Sequence, residues 1–133
     1  MRFFKRVGTG RRVKQTEADD IEEVLEGLSY LAAPYTHPDP TVVEERMTKL
    51  CKVDAALMKR GIFTVSPLLK HYVAKHEDLP TDFAYWQDYS TELIQRCGCL
   101  LVLMLAGWEE SPGVQAEIVD AKRCGLSVYY IEP

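Results

Sequence analysis

The apolar stretch at residues 99–105, followed by a turn and a helix start, is the feature that most constrains the fold. A continuous apolar run rich in Leu and Val is typical of a strand that is buried on both faces, as in a parallel sheet. Ser111 then has the chemistry of a helix N-cap, and Pro112 suits the first helical position. A strand that leads directly into a helix predicts a parallel α/β unit, whose strand-to-helix loop is where ligands bind.

The rest of the chain repeats this alternation. We predict further strands over residues 29–33, 62–66 and 127–131, and helices over residues 39–60 and 82–96, besides the helix that Ser111 begins and Gly125 ends. The order of these elements predicts a three-layer, flavodoxin-like α/β fold with a parallel sheet of about four to five strands in the order 2-1-3-4. Residues 71–81 are predicted to form a long connection that covers the ligand crevice.

Composition and charge limit the classes of function. A chain of 133 residues, 47% hydrophobic and 27% charged, is typical of a single soluble domain. A net charge of −4 argues against nucleic acid as a partner. Residues 1–14 are basic and residues 17–26 acidic, so we predict an N-terminal arm over residues 1–27, partly disordered or helical, before a domain over residues 28–133. The basic part is predicted to be a solvated tail, and the acidic part a short helix capped by Thr16.

Cysteine and histidine usage predicts neither a disulfide framework nor a metal site. The four cysteines form no CxxC pair, and no apolar leader or membrane span is visible, so we predict a cytoplasmic protein without membrane contact. The three histidines do not have the spacing of metal ligands, and neither a P-loop nor a strand-linked GxGxxG motif is found. We therefore predict no metal and no cofactor.

Two loops are predicted to share one crevice. In a 2-1-3-4 sheet the first and third strands diverge at their carboxyl ends, which here carry Ala33-Pro34-Tyr35 and residues 105–108. Ser111 and the free N–H groups of Gly113 and Val114 would form an anion site at the helix start. Glu117, one turn further, is either a general base or nucleophile or a solvated carboxylate that favours the helix dipole, and spacing alone favours the second. His37 could donate to a ligand or cap its own loop, and Trp108 could stack on a ligand or belong to the core.

The segments YLAAPYTHP (residues 30–38) and GWEESPGVQAEI (residues 107–118), together with Trp86, resemble a family of small bacterial and phage proteins. That family is similar to a branch of the nucleoside 2-deoxyribosyltransferase superfamily. The resemblance covers about residues 28–131, and the second segment is specific.

This resemblance implies a doubly wound sheet and an N-glycosidic bond as the target. It implies that Glu117 attacks C1′ of a 2-deoxynucleoside, and that water or a second base resolves the resulting deoxyribosyl ester. By position, Ser111 matches the serine that binds the 5′-phosphate in the nucleotide-cleaving branch. A homodimer or larger homo-oligomer, in which a neighbouring subunit completes the site, is also implied. The expected substrate-binding residues are Tyr30, Ala33, Pro34, Tyr35, His37, Gly107, Trp108, Ser111 and Gly113.

The chain departs from the superfamily pattern at acidic positions. Ser90 stands where an Asp on the second helix is usual, and the nearest acid, Asp88, lies on another side of that helix. Gly98 replaces an Asp that usually opens the third strand, and Ala33 replaces a common Gly. The candidate catalytic residues are thus Glu117 with Ser90 or Asp88. A nucleotide-binding module with weak or no catalysis is the alternative prediction.

Overall fold

The computed structural model describes residues 3–6, 13–16 and 27–133. Six strands and four helices lie within these residues. In chain order the strands are β1 (Phe3–Arg6), β2 (Val13–Thr16), β3 (Ser29–Ala32), β4 (Thr64–Val65), β5 (Cys99–Leu103) and β6 (Ser127–Ile131). The helices are α1 (Pro40–Lys59), α2 (Leu68–Glu77), α3 (Phe83–Ile94) and α4 (Pro112–Arg123).

The parallel part of the sheet has the predicted topology. Strands β4, β3, β5 and β6 are neighbours in that order and all parallel, which is the order 2-1-3-4. Ser29 is in register with Cys99, and Cys99 with Ser127, so the carboxyl ends of β3, β5 and β6 lie at one edge. The predicted flavodoxin-like α/β fold is confirmed, and its switch point lies between β3 and β5.

An antiparallel hairpin extends the sheet beyond β6. Strand β1 pairs with β6, Phe3 opposite Ile131, and β2 pairs with the other side of β1. Phe3 is buried in the core, and pairing with β1 covers the edge that β6 would otherwise expose. In place of the tail or helix expected from the sequence, the described residues of the arm are therefore strands. Apart from Thr16, the predicted acidic helix lies outside the described residues.

The predicted helix starts are confirmed by their capping contacts. Asp39 accepts a hydrogen bond from Thr41 N at 2.9 Å, Asp82 from Tyr85 N at 3.3 Å, and Ser111 from Val114 N at 3.3 Å. Each cap satisfies a backbone N–H that has no partner within its helix. Gly61 and Gly125 follow α1 and α4 with φ of +76° and +75°, a conformation that glycine adopts without strain.

The two faces of the sheet form two core clusters. Because side chains alternate along a strand, Leu31 packs toward α1 whereas Tyr30 packs toward α3 and α4. The first cluster includes Leu50, Val53, Leu57, Leu101, Leu103 and Ile131, and the second includes Ile94, Leu100, Val102, Val114, Ile118 and Tyr130. This alternation brings Tyr30 into the same layer as the helix that carries Glu117.

The long connection predicted over residues 71–81 is wrong for residues 71–77, which belong to α2 (Leu68–Glu77). Its predicted place at the ligand crevice is consistent with the structure, since His71, Ala74 and Thr81 line the cavity there. His71 and Ala74 are buried, whereas Tyr72, Val73 and Lys75 are exposed. This spacing of three residues places the two buried side chains on one helical face. The helix was missed because so short a buried face carries little periodicity. Within the described parts of the chain, none of the helices is both long and apolar enough to cross a membrane.

Candidate functional site

A cavity of about 620 Å³ opens at the switch point, a volume within the range of small-molecule sites. It lies between the β3 loop (residues 33–39), the β5 loop (residues 104–111), and helices α1 to α4. Most of the residues that the sequence predicted for the site line this cavity. Of the predicted residues, those that line it are Ala33, Pro34, Tyr35, His37, Ser90, Gly107, Ser111, Gly113 and Glu117.

Glu117 is buried in this cavity and not solvated. Its side chain lies in the second turn of α4, the residue is 7% exposed, and Oε2 has no hydrogen-bond partner among the described residues. Burial raises the pKa of Glu117 to about 7, because water no longer stabilises the charged form. The nearby Tyr30 hydroxyl lowers this pKa, whereas the charge of Asp120 raises it. The solvated-carboxylate interpretation is therefore wrong.

Tyr30 and Ser90 complete a buried polar cluster with Glu117. Ser90 is 5% exposed and lines the cavity, and Tyr30 lies behind the cavity wall, fully buried. The pKa of Tyr30 is raised well above its usual value, first by burial and then by the charge of Glu117. The Tyr30 hydroxyl is near both partners, although neither contact has full hydrogen-bond geometry within the described residues. Tyr30 thus supports Glu117 without lining the cavity itself.

Asp88 and Trp108 do not belong to the cavity. Asp88 is exposed on α3, because two helical residues turn its side chain away from the face that carries Ser90. Trp108 is buried, and its ring packs on Tyr130 with centroids 5.4 Å apart. The prediction that Asp88 acts at the site is wrong, and of the two roles considered for Trp108 the structure confirms the core role.

The start of α4 lies at the cavity wall. Ser111 Oγ accepts from Val114 N, so the prediction that this N–H is free is wrong, whereas Gly113 lines the cavity. A Cβ at Gly113 would lie 3.2 Å from the Phe83 ring and 3.8 Å from Glu117 Oε1. Glycine therefore allows the close approach of α3 to α4 beside the carboxylate. Such a helix start favours an anion.

Arg46 holds the two loops together and was not predicted. Its guanidinium donates to Thr36 O at 2.9 Å and Tyr35 O at 3.4 Å in the β3 loop, and to Ala106 O at 3.3 Å in the β5 loop. Gly107 has φ +87°, and a Cβ there would lie 3.2 Å from Arg46 Nη2. Arg46 lies within α1 and carries no motif, so no signal in the sequence pointed to it.

A second unpredicted residue, His71 of α2, contacts the cavity beside Tyr35. Tyr35 Oη is hydrogen-bonded to His71 Nδ1, and His71 Nε2 lies 3.3 Å from Glu44 Oε1. Burial, and next the charge of Glu44, raises the pKa of Tyr35, so its hydroxyl keeps its proton at neutral pH. His37 is exposed and its Nδ1 accepts from Asp39 N at 3.0 Å, which is the loop-capping role.

Comparison with known proteins places the chain in a family. The family described as a domain of unknown function, DUF1937, matches residues 27–132. The chain belongs to this family. No curated protein matches it. The match spans the four parallel strands and every helix named above, so the DUF1937 domain contains the whole cavity. Among residues 3–6, 13–16 and 27–133, no three His, Cys, Asp or Glu side chains form a group that could hold a metal ion.

Proposed function

We propose that this protein binds a nucleoside or, preferentially, a nucleoside 5′-monophosphate, and cleaves or transfers at its N-glycosidic bond with Glu117 as the nucleophile. The observation that carries the proposal is the buried Glu117 carboxylate, with one unpartnered oxygen, in a cavity that also contains a helix start. Breaking an N-glycosidic bond passes through an oxocarbenium-like state, which a nearby carboxylate stabilises and can trap. The resemblance noted above assigns the same role to Glu117.

The proposed chemistry has two steps. A Glu117 oxygen forms a bond to C1′ while the C1′–N bond breaks, and the base leaves with that electron pair and takes up a proton. Water then attacks C1′ and releases the 2-deoxyribose 5-phosphate, so that the Glu117 carboxylate is restored. If a second base attacks instead of water, the reaction is a transfer.

A specific observation favours a second candidate function, binding without turnover. Ser90 occupies the position of the usual acidic partner, and the aliphatic hydroxyl of serine is too weak an acid to protonate a leaving base at neutral pH. Tight binding of a deoxynucleoside monophosphate in calorimetry, with no release of base, would select this candidate.

We also propose the setting of this activity. The partner is a small molecule and not a nucleic acid or a membrane, and the protein forms a homodimer or larger homo-oligomer. Light scattering of the purified protein tests the oligomer. All four cysteines are free thiols, which supports a cytoplasmic location.

The experiment that tests the function is a base-release assay. Chromatography measures the free base that is released from each deoxynucleoside 5′-monophosphate. We expect the wild-type protein to release base from at least one of them, and Glu117→Ala to release none above the uncatalysed rate. Equal, slow release by both proteins would overturn the catalytic proposal.

Ser111→Asp tests where the phosphate binds. Asp is as good an N-cap as Ser, so α4 should start unchanged, but its charge would repel a phosphate at the Gly113 N–H. We expect kcat/KM for a deoxynucleoside 5′-monophosphate to fall at least about 10-fold, the cost of about 1.4 kcal/mol of lost binding, with little change for the deoxynucleoside. An equal loss for both substrates would place the phosphate elsewhere. Ser111→Thr, which keeps a neutral cap, is the control.

A further inference from the structure

The contact between Tyr35 and His71 has no part in the chemistry described so far. Tyr35 comes from the β3 loop and His71 from α2, and both line the cavity that contains Glu117. His71 is 8% exposed, and its ring makes edge contacts with Tyr35 and Tyr72, with centroids 5.5 and 5.2 Å apart. Packing therefore holds the imidazole in one orientation while Nδ1 is hydrogen-bonded to the Tyr35 hydroxyl.

Glu44 determines which imidazole nitrogen carries a proton. His71 Nε2 lies 3.3 Å from Glu44 Oε1, and a bare nitrogen lone pair would be repelled by a carboxylate at that distance. Nε2 therefore carries a proton, and Nδ1 is the nitrogen that exchanges one with Tyr35. Lys75 Nζ lies 3.8 Å from the same Glu44 oxygen. The charged side chains that line the cavity are Arg46, Lys70, Asp82, Glu110 and Glu117, and the residues Asp82 and Glu110 are exposed.

The proposed reaction needs a proton donor that the Glu117 cluster does not contain. Glu117 must be ionised to attack C1′, so it cannot also protonate the departing base. Ser90 holds its proton too tightly, Tyr30 does not line the cavity, and Asp88 is exposed outside it. Without a proton, the departing base carries a negative charge and is a poor leaving group. An acid elsewhere on the cavity wall is therefore required.

We infer that Tyr35 is this acid, with His71 as its proton source and Glu44 as the group that positions His71. This inference rests on the proposed function. When His71 carries protons on both nitrogens, Nδ1–H donates to Tyr35 Oη, and the Tyr35 hydroxyl is free to donate its proton to a ring nitrogen of the base. The Glu44 carboxylate, 3.3 Å from Nε2, balances the imidazolium charge in that state.

The protons balance over the cycle. As the C1′–N bond breaks, the Tyr35 proton moves to the base nitrogen that receives the electron pair, and the His71 Nδ1 proton moves to Tyr35 Oη. His71 is then neutral. When water attacks C1′ of the Glu117 ester, it gives a proton to Tyr35 Oη while the Tyr35 proton moves to His71 Nδ1. The products are the neutral free base and 2-deoxyribose 5-phosphate, and both side chains return to their starting forms.

The experiment compares two substrates whose bases differ in their need for an acid. Deoxyadenosine 5′-monophosphate must gain a proton as adenine leaves. 7-Methyl-2′-deoxyguanosine 5′-monophosphate already carries a positive charge on its purine, so 7-methylguanine leaves as a neutral molecule. We expect Tyr35→Phe and His71→Asn to lower kcat for the first substrate at least about 10²-fold, the contribution of a general acid, and for the second less than about 3-fold. The uncatalysed rate of each substrate is subtracted.

Controls separate this role from a structural one. Tyr72→Phe removes the hydroxyl of an exposed tyrosine that also contacts the His71 ring, and should lower neither rate. Glu44→Gln should show the leaving-group dependence of His71→Asn, more weakly. Equal losses on both substrates in Tyr35→Phe and His71→Asn would overturn the inference while leaving the proposed function intact. Release of base from neither substrate by the wild-type protein would overturn the proposed function and the inference with it.

Discussion

Replacing Glu117 by glutamine is expected to lower base release at least about 10³-fold, because an amide has nearly the shape of the carboxylate but cannot form the ester to C1′. Single-turnover assays with a deoxynucleoside 5′-monophosphate measure this loss. Unlike a leaving-group variant, Glu117→Gln should fail equally on deoxyadenosine and 7-methyldeoxyguanosine monophosphates. The control is Asp88→Asn, which removes an exposed carboxylate of α3 outside the cavity and should leave the rate unchanged.

The pH dependence of kcat/KM for the wild-type protein tests whether Glu117 must be ionised to react. With a pKa of about 7, the carboxyl is mostly protonated below that pH and ionised above it. A nucleophile acts in its ionised form, so we expect kcat/KM to rise with pH up to about 7 and then to level off until the leaving-group acid titrates. A rate constant unaffected by pH between 5 and 7 would show that ionisation of Glu117 does not limit ester formation.

The same Glu117→Gln substitution is expected to stabilise the protein at high pH by about 3 kcal/mol. This is the free energy that corresponds to raising the pKa of Glu117 from its usual value of 4.5 to about 7. Because the folded pKa lies above the unfolded one, the native state binds more protons than the unfolded state between them. Burial of Glu117 therefore costs no stability below a pH of about 4, where the carboxyl is protonated in both states. The cost grows as the pH rises and is complete above a pH of about 7. Glutamine carries no charge at any pH, so the variant avoids this cost.

Urea unfolding at pH 4 and pH 8 measures the effect. We expect the free energies of unfolding of the wild-type protein and Glu117→Gln to be similar at pH 4 and to differ at pH 8 in favour of the variant. Glu109→Gln removes the same charge from an exposed position in the β5 loop and should change stability little at either pH. If Glu117→Gln were the less stable protein at pH 8, favourable partners of the ionised carboxylate would outweigh its burial.

Loss of base release together with a gain in stability in Glu117→Gln would show that Glu117 serves the reaction and not the stability of the fold. A buried carboxylate with an unpartnered oxygen costs stability whenever it is ionised. A substitution that stabilises the fold and abolishes activity identifies a residue retained for chemistry.

Local features of the sequence were sufficient for the parallel sheet and three of the four described helices, but not for α2 or the β1–β2 hairpin. Residues 99–105 are continuously apolar, and the cap at Ser111 depends only on contacts within its own helical turn. Both signals are short in range, so the strand and the helix start could be predicted. The 2-1-3-4 order followed from the alternation of strands and helices along the chain. The same holds for placing Ser111, Gly113 and Glu117 together, because they share the first two turns of α4.

The state of the site depended on contacts between elements far apart in the chain. Glu117 is buried because Tyr30 of β3 and Ser90 of α3 converge on it, and no spacing within α4 could show that its pKa rises to about 7. His71 meets Tyr35 across thirty-six positions of the chain, in a helix too short to predict, and Arg46 bonds to carbonyls of two loops. The sequence by itself determined the parallel α/β sheet and the presence of a carboxylate at the switch point. Only the tertiary structure decided that this carboxylate is buried and that a histidine–tyrosine pair lines the same cavity, because burial and protonation depend on neighbours that only folding brings together.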